Sequence, residues 1–145
     1  MCTELKGHRD RVNHIKFHPK ATIGLDPEGP NIATASADTR VRLWTLNQEY
    51  GNQKSIIFKG HEDRANYVEF HPMGAHIASS SHDETWRFWD IETQKELLCQ
   101  EGHISAVYPL SFQNDGALIA SGDLNGVAAV WDLRTGKSIT TYVAH

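Results

Sequence analysis

Nine histidines in a chain of 145 residues are the residues here that could do chemistry. Two chemistries use imidazole at this density. One is a hydrolase relay, in which a Ser or Thr hydroxyl attacks, a His takes its proton and an Asp orients the ring. The other is a metal centre, where imidazole nitrogen is a common ligand. The spacing argues against both. Gly7-His8, Gly60-His61 and Gly102-His103 recur with 53 and then 42 residues between the histidines, so a relay built on them would be present three times over. No Gly-x-Ser-x-Gly turn presents a nucleophile. His14 and His18 stand four apart, as helical metal ligands do, but Pro19 and the strand pattern around them oppose a helix. The sequence holds no Cys-x-x-Cys pair, no phosphate-binding Gly-Lys-Ser/Thr and no dinucleotide glycine fingerprint. The expectation is a chain with no catalytic residues, no metal and no cofactor.

The elements that must position these histidines form one unit written three times. A tryptophan closes each unit, Trp44, Trp89 and Trp131, lying 36, 28 and 28 residues after the histidine, so the first unit holds an eight-residue insertion. Four residues past the histidine stand Val12, Ala65 and Val107; seven past it Ile15, Val68 and Leu110; nine past it Phe17, Phe70 and Phe112. The last two positions differ by two and share one face of a first strand. Turns follow at His18-Pro19, His71-Pro72-Met73-Gly74 and Gln113-Asn114-Asp115-Gly116. A second strand runs through Ile32-Ala33-Thr34, Ile77-Ala78-Ser79 and Ile119-Ala120-Ser121, and tight turns at Asp38-Thr39, Asp83-Glu84 and Asn125-Gly126 lead to a third ending on the tryptophan. A fourth, outer strand takes Ser55–Phe58, Glu96–Cys99 and Ile139–Val143. Short strands at regular spacing, with no amphipathic helix, predict an all-β fold of four antiparallel strands per unit. A period of about 40 residues predicts propeller blades. The units divide as 8–59, 60–101 and 102–145, with residues 1–7 expected in the outer strand of a preceding blade.

Composition narrows the function classes. There are 14 Lys and Arg against 18 Asp and Glu, a net charge of −4. A strongly basic nucleic-acid coat is excluded, since its affinity would come from many phosphate-neutralising cations. No run approaches the roughly 20 apolar residues of a membrane helix. Two cysteines, Cys2 and Cys99, are too few for a disulfide scaffold and are expected as free thiols.

With Gly-His opening its units and Trp89-Asp90 and Trp131-Asp132 closing two of them, the chain resembles the WD-repeat (WD40) family over nearly its whole length. It departs from the pattern at Trp44-Thr45, at Asn125 where the turn Asp is usual, and at Ala144 for Gly. The resemblance implies a β-propeller, here three blades of a seven-bladed ring, so that this chain is expected to be part of a larger ring with open blade faces. It further implies that each blade's His, second-strand hydroxyl, turn acid and third-strand Trp form a hydrogen-bonded chain. The sets are His8–Thr34–Asp38–Trp44, His61–Ser79–Asp83–Trp89 and His103–Ser121–Asn125–Trp131. The hydroxyl is taken four before the turn residue, because two before it gives Ser36, Ser81 and Asp123, which breaks the type. Buried indole, hydroxyl and imidazole groups need partners, so these sets are expected as glue within a binding platform.

Less regular segments carry a finer resemblance. The insertion from Phe17 to Pro27, the run Thr85-Trp86-Arg87-Phe88-Trp89-Asp90-Ile91-Glu92 and Leu98-Cys99-Gln100-Glu101-Gly102-His103 together are similar to WD-repeat proteins of the U4/U6 small nuclear ribonucleoprotein. That resemblance implies a nuclear, non-catalytic scaffold of pre-mRNA splicing in the U4/U6 and U4/U6-U5 particles. Its implied partners are splicing factor three, a cyclophilin, and U4 and U6 snRNA. Blade geometry puts the candidate partner contacts on the narrow top face: Arg11, Asn13, Arg64, Asn66, His82 and Tyr108. Arg40, Arg42 and Arg87 on the third strand are expected in structural roles, and Pro109 inside a first strand is tolerated at an edge facing the central channel. The loop 24–30 is expected as an exposed connector. An alternative within the same family is a substrate receptor of a cullin-type ubiquitin ligase, because Trp131-Asp132-Leu133-Arg134 fits the Trp-Asp-x-Arg pattern of such receptors, whereas the preceding unit reads Trp89-Asp90-Ile91-Glu92. A generic adaptor is a second alternative.

Overall fold

The structure is a computed structural model describing residues 4–20, 31–45 and 54–143. Among these residues, twelve strands form three separate four-stranded sheets. The first holds β1 (Val12–Phe17), β2 (Ile32–Ser36), β3 (Val41–Thr45) and β4 (Lys54–Phe58). The second holds β5 (Ala65–Phe70), β6 (His76–Ser81), β7 (Trp86–Asp90) and β8 (Glu96–Gln100). The third holds β9 (Val107–Phe112), β10 (Leu118–Asp123), β11 (Val127–Asp132) and β12 (Lys137–Val143). Each sheet is an antiparallel meander in chain order, the blade predicted from the period.

Blades pack face to face through their alternating apolar positions. Ala33, Ala35, Val41, Leu43 and Phe58 of the first blade enclose Ala65, Val68, Phe70, Ile77 and Trp89 of the second. Ala78, Trp86 and Phe88 on the other face of the second blade enclose Val107, Leu110, Ile119, Ala129 and Trp131 of the third. The period of two decides which residues face which neighbour. The equivalents of Val68 and Phe70 in β1 behave differently: Ile15 is 53% and Phe17 67% exposed, while Val68 and Phe70 are buried. Among the described residues, no blade stands against that face of β1.

Among the described residues, 4–7 form no strand; residues 1–3 lie outside the described residues, so the expected outer strand of a preceding blade is not seen as a whole. The connector 24–30 and Ala144-His145 also lie outside them. Cys99 is a free, exposed thiol, and Cys2 is not among the described residues.

Each first strand carries a bulge near its start. In β1 the register slips between Val12 and His14, in β5 between Ala65 and Tyr67, and in β9 between Val107 and Leu110, opposite Asp123 and Ser121. A bulge inserts a residue with no ladder partner and re-aims its side chain. The inserted residues are Asn13 and Asn66, and Tyr108 and Pro109 occupy the corresponding stretch of β9. Pro109 is tolerated because this stretch leaves the ladder, and it is exposed.

Candidate interaction site

The blade histidines are wired in one direction. Trp44 Nε1–H donates to Thr34 Oγ1 at 2.8 Å, the Thr34 hydroxyl donates to His8 Nε2 at 2.6 Å, and His8 Nδ1–H donates to Asp38 Oδ2 at 2.9 Å. The second blade repeats the chain through Trp89, Ser79, His61 and Asp83 at 2.9, 2.7 and 3.0 Å. An indole N–H can only donate and a carboxylate can only accept, which fixes the direction of the first and last of the three links. Asp38 also accepts from the Arg9 and Arg40 N–H groups, and Asp83 from those of Glu62 and Thr85. Burial pushes the Asp38 and Asp83 carboxyls up, but these donors outweigh it and hold both below the usual carboxylate range. The hydroxyls of Thr34, Ser79 and Ser121 are buried and already accept an indole proton. That geometry suits a fold-stabilising chain, with each hydroxyl tied to an indole and away from solvent.

The third blade corrects the sequence assignment. Trp131 Nε1–H donates to Ser121 Oγ at 2.8 Å and Ser121 bonds His103 Nε2 at 2.7 Å, as expected, but His103 Nδ1 donates to Asp123 Oδ2 at 2.9 Å, not to Asn125. Asn125 is exposed. In the other blades two residues share the work at this turn. Ser36 and Ser81 Oγ accept the Asp38 and Asp83 N–H groups, and those aspartates accept from the residue two further on. Asp123 sits where Ser36 and Ser81 sit and does both jobs. Its Oδ1 accepts the Asn125 and Val127 N–H groups at 2.9 and 3.0 Å, while Oδ2 takes the histidine. Asp123 is longer than Ser by one atom and carries two acceptor oxygens, so moving the acid back two positions still reaches the same imidazole. Burial raises its carboxyl, but the Val127, His103 and Asn125 donors bring it below the usual range.

The glycine before each histidine has a steric cause. A Cβ on Gly7 would lie 2.8 Å from Arg42 Nη1 and 2.9 Å from the Trp44 ring; on Gly60 it would lie 2.7 Å from Arg87 Nη1 and 2.8 Å from the Trp89 ring. Arg42 and Arg87 therefore have the structural roles expected of them. Arg42 donates to Gly7 O and Ser55 Oγ and lies over the Trp44 ring, and Arg87 pairs with Glu96 at 2.9 Å.

Two further histidines, placed by the sequence only in turns, staple neighbouring blades. Lys20 N–H donates to His18 Nδ1, so Nε2 carries the proton and donates to Gly74 O at 2.9 Å. Met73 N–H and Gly116 O hold His71 in the same way, with Nε2 to O at 3.0 Å. The signal was the shared offset of ten residues between these histidines and the blade histidines, His8 and His61.

All six residues proposed for the top face line one cavity of about 300 Å³, together with His14 and Tyr67, which sequence reasoning missed. The bulges build it. Asn13 Nδ2 donates to Ala65 O and Asn66 Nδ2 to Val107 O, both at 2.8 Å, so each bulge side chain ties its blade to the first residue of the next blade's inner strand. Asn13 Oδ1 accepts Arg11 Nε–H at 3.1 Å, and Asn66 Oδ1 accepts His82 Nδ1–H at 2.7 Å. His82 Nε2 then accepts the Tyr108 hydroxyl at 3.2 Å. His14 stacks on Tyr67 with ring centroids 3.7 Å apart and accepts the Val68 N–H on Nδ1. Burial, then the Lys16 charge, lower its pKa. Arg11 and Arg64 are exposed, and Asn66 is buried as a structural member.

Comparison with known proteins places these features in a wider set. The family model described as "WD domain, G-beta repeat" matches residues 1–45, 52–90 and 94–132. Pre-mRNA-processing factor 19 of Oryza sativa subsp. japonica is 30% identical over 152 residues, covering all of this chain and 26% of that protein. The Bos taurus protein of the same name is 29% identical, over 97% of this chain and 26% of its own length. Transducin beta-like protein 3 of Bos taurus is 32% identical, over 88% of this chain and 16% of its own length. The chain thus spans about a quarter or less of the length of these relatives.

Proposed function

The chain belongs to the WD-repeat family, and on that premise we propose that it is a non-catalytic scaffold of pre-mRNA splicing that holds partner proteins at the narrow end of its blades. The observation that carries this reading is the convergence of Arg11, Asn13, Arg64, Asn66, His82 and Tyr108 on one cavity at that end. Arg and Tyr are frequent anchors of protein interfaces. Relatives named as pre-mRNA-processing factors support a splicing role and a nuclear location. The finer assignment is to the U4/U6 and U4/U6-U5 particles, as a counterpart of pre-mRNA-processing factor four. It rests on the similarity of the insertion from Phe17 to Pro27 and the runs from Thr85 to Glu92 and from Leu98 to His103 to that protein. Splicing factor three, a cyclophilin, and U4 and U6 snRNA are its proposed partners, and the missing part of a seven-bladed ring is its proposed complement.

The test is affinity purification of the tagged full-length protein from nuclear extract, followed by RNA and protein identification. Co-recovery of U4 and U6 snRNA with splicing proteins is the expected result. Recovery of ubiquitin-ligase adaptor subunits without either RNA would replace this reading with that of a ligase substrate receptor. Neither set would leave only the generic adaptor.

A further inference from the structure

We propose that the cavity between Arg11, Arg64 and Tyr108 receives one anionic side chain, a carboxylate or a phosphate, carried by a partner polypeptide. This rests on the scaffold reading above and gives its contact site a ligand chemistry.

No acid lines the cavity, whereas two guanidinium groups and two imidazoles do. Asp10 and Asp63, each next to one of the arginines in sequence, turn to their own loops, accepting the N–H of Arg11 and Arg64 at 2.7 Å. Neither guanidinium enters an ion pair among the described residues, unlike Arg87 and Arg134. Arg11 is aimed rather than loose: its Nε–H is taken by Asn13 Oδ1, and Asn13 is itself tied to the Ala65 carbonyl. That leaves the Arg11 terminal nitrogens as a fork for two oxygens. His14 accepts on Nδ1, so its Nε2 carries a proton and adds a neutral donor to the lining. Asn66, His82 and Tyr108 are locked into one another and form the fixed wall. A pre-organised donor set without acceptors of matching charge is a site for an anion.

Polypeptide is favoured over RNA on three grounds. The chain carries a net charge of −4, with Asp10, Glu62 and Asp63 on the same loops as the arginines, so a phosphate backbone would be repelled around the one place it is attracted. The volume of about 300 Å³ suits one side chain, not a strand of nucleotides. The stacking face of Tyr67 that a base would compete for is already covered by His14, and Tyr108 is held against His82.

The experiment uses the full-length protein and three fluorescein-labelled peptides of Gly, Ala and Ser that differ at one central position: Ser, Glu or phosphoserine. A uridine-rich single-stranded RNA of matched length is the fourth probe, and anisotropy is read at two salt concentrations. The anionic peptides should bind at least about tenfold tighter than the Ser peptide, and R11Q and R64Q should each lose about tenfold or more. K137Q, away from the cavity, should bind as the unchanged protein does. Tighter binding of the phosphoserine peptide assigns a phosphate; equal binding of both anions assigns a carboxylate-sized anion of either kind. Equal binding of all three peptides, or indifference to R11Q and R64Q with melting unchanged, overturns the proposal. So does an RNA that binds tighter than any peptide and is lost with the same arginines. If the anion chemistry fails while R11Q and R64Q still remove partners from the nuclear purification, the scaffold reading stands and only its ligand class falls.

Discussion

Replacing Asp123 by Ala should destabilise the protein far more than replacing Asn125, although Asn125 occupies the turn position that aspartate holds in the other two blades. The Asp123 side chain is 0% accessible and that of its partner His103 is 2% accessible. Three donors converge on its carboxylate: His103 Nδ1, Asn125 N and Val127 N. Truncation leaves a buried imidazole N–H without an acceptor, at about 1–3 kcal/mol. The two turn amides lie nearer solvent and regain water, so each adds only about 0.5–1 kcal/mol. The sum is about 3 kcal/mol. At about 3–4 °C per kcal/mol for a domain of this size, that is a fall in Tm of about 10 °C. Asn125→Ala removes an exposed side chain and should move Tm by less than about 2 °C. D123N is a useful intermediate, since an amide oxygen can serve the histidine or the turn amides but not all three donors. Thermal melting by circular dichroism, checked by urea titration, reads all three. If Asn125→Ala costs as much as Asp123→Ala, the assignment of the histidine's acceptor is wrong.

Three other outcomes follow from the same geometry. Asp38, Asp83 and Asp123 are held below their ordinary values, so the unfolded chain binds more protons in acid; their stabilisation is complete above about pH 5 and is lost as pH falls below about 4 towards the folded values. A urea midpoint that stays flat from pH 7 to pH 3 would contradict this. Trp86 and Trp89 are both buried, but Trp89 Nε1 serves Ser79 while Trp86 Nε1 has no partner among the described residues. W89F should therefore cost about 1 kcal/mol more than W86F, and equal urea midpoints would refute it. Thr39 is β-branched with φ at 73°, and Thr39→Gly should raise stability by up to about 1 kcal/mol, read as a higher Tm.

The blade was legible because its physics is local. Alternation at Val68 and Phe70, or at Leu110 and Phe112, names a strand face, and a period of about 40 residues names the repeat. Which side of a blade is covered is not local. Ile15 and Phe17 carry the same pattern as Val68 and Phe70 and end up exposed, because burial depends on whether another blade stands there. The top-face residues were legible for a related reason: they follow the blade histidine at fixed offsets, so Arg11 and Arg64, or Asn13 and Asn66, had to share one end. His14 and Tyr67 were missed because a bulge shifts the inside-outside alternation by one residue, and no composition signal marks it in β1 or β5.

The third blade moves its acid and keeps its bond. Turn length aligns Asn125 with Asp38 and Asp83 and leaves Asp123 in a column of serines, Ser36 and Ser81. The buried Asp123 carboxylate is a stronger acceptor for the His103 N–H than the exposed Asn125 amide two residues away. The break in type at Asp123 was therefore the signal itself. An acid in a column of serines, beside a turn that has lost its acid, means that the acceptor has moved and the bond has been kept. The same test applies to any degenerate repeat of this kind: a carboxylate missing from its column should be sought two residues upstream before the chain from indole to imidazole is taken as broken.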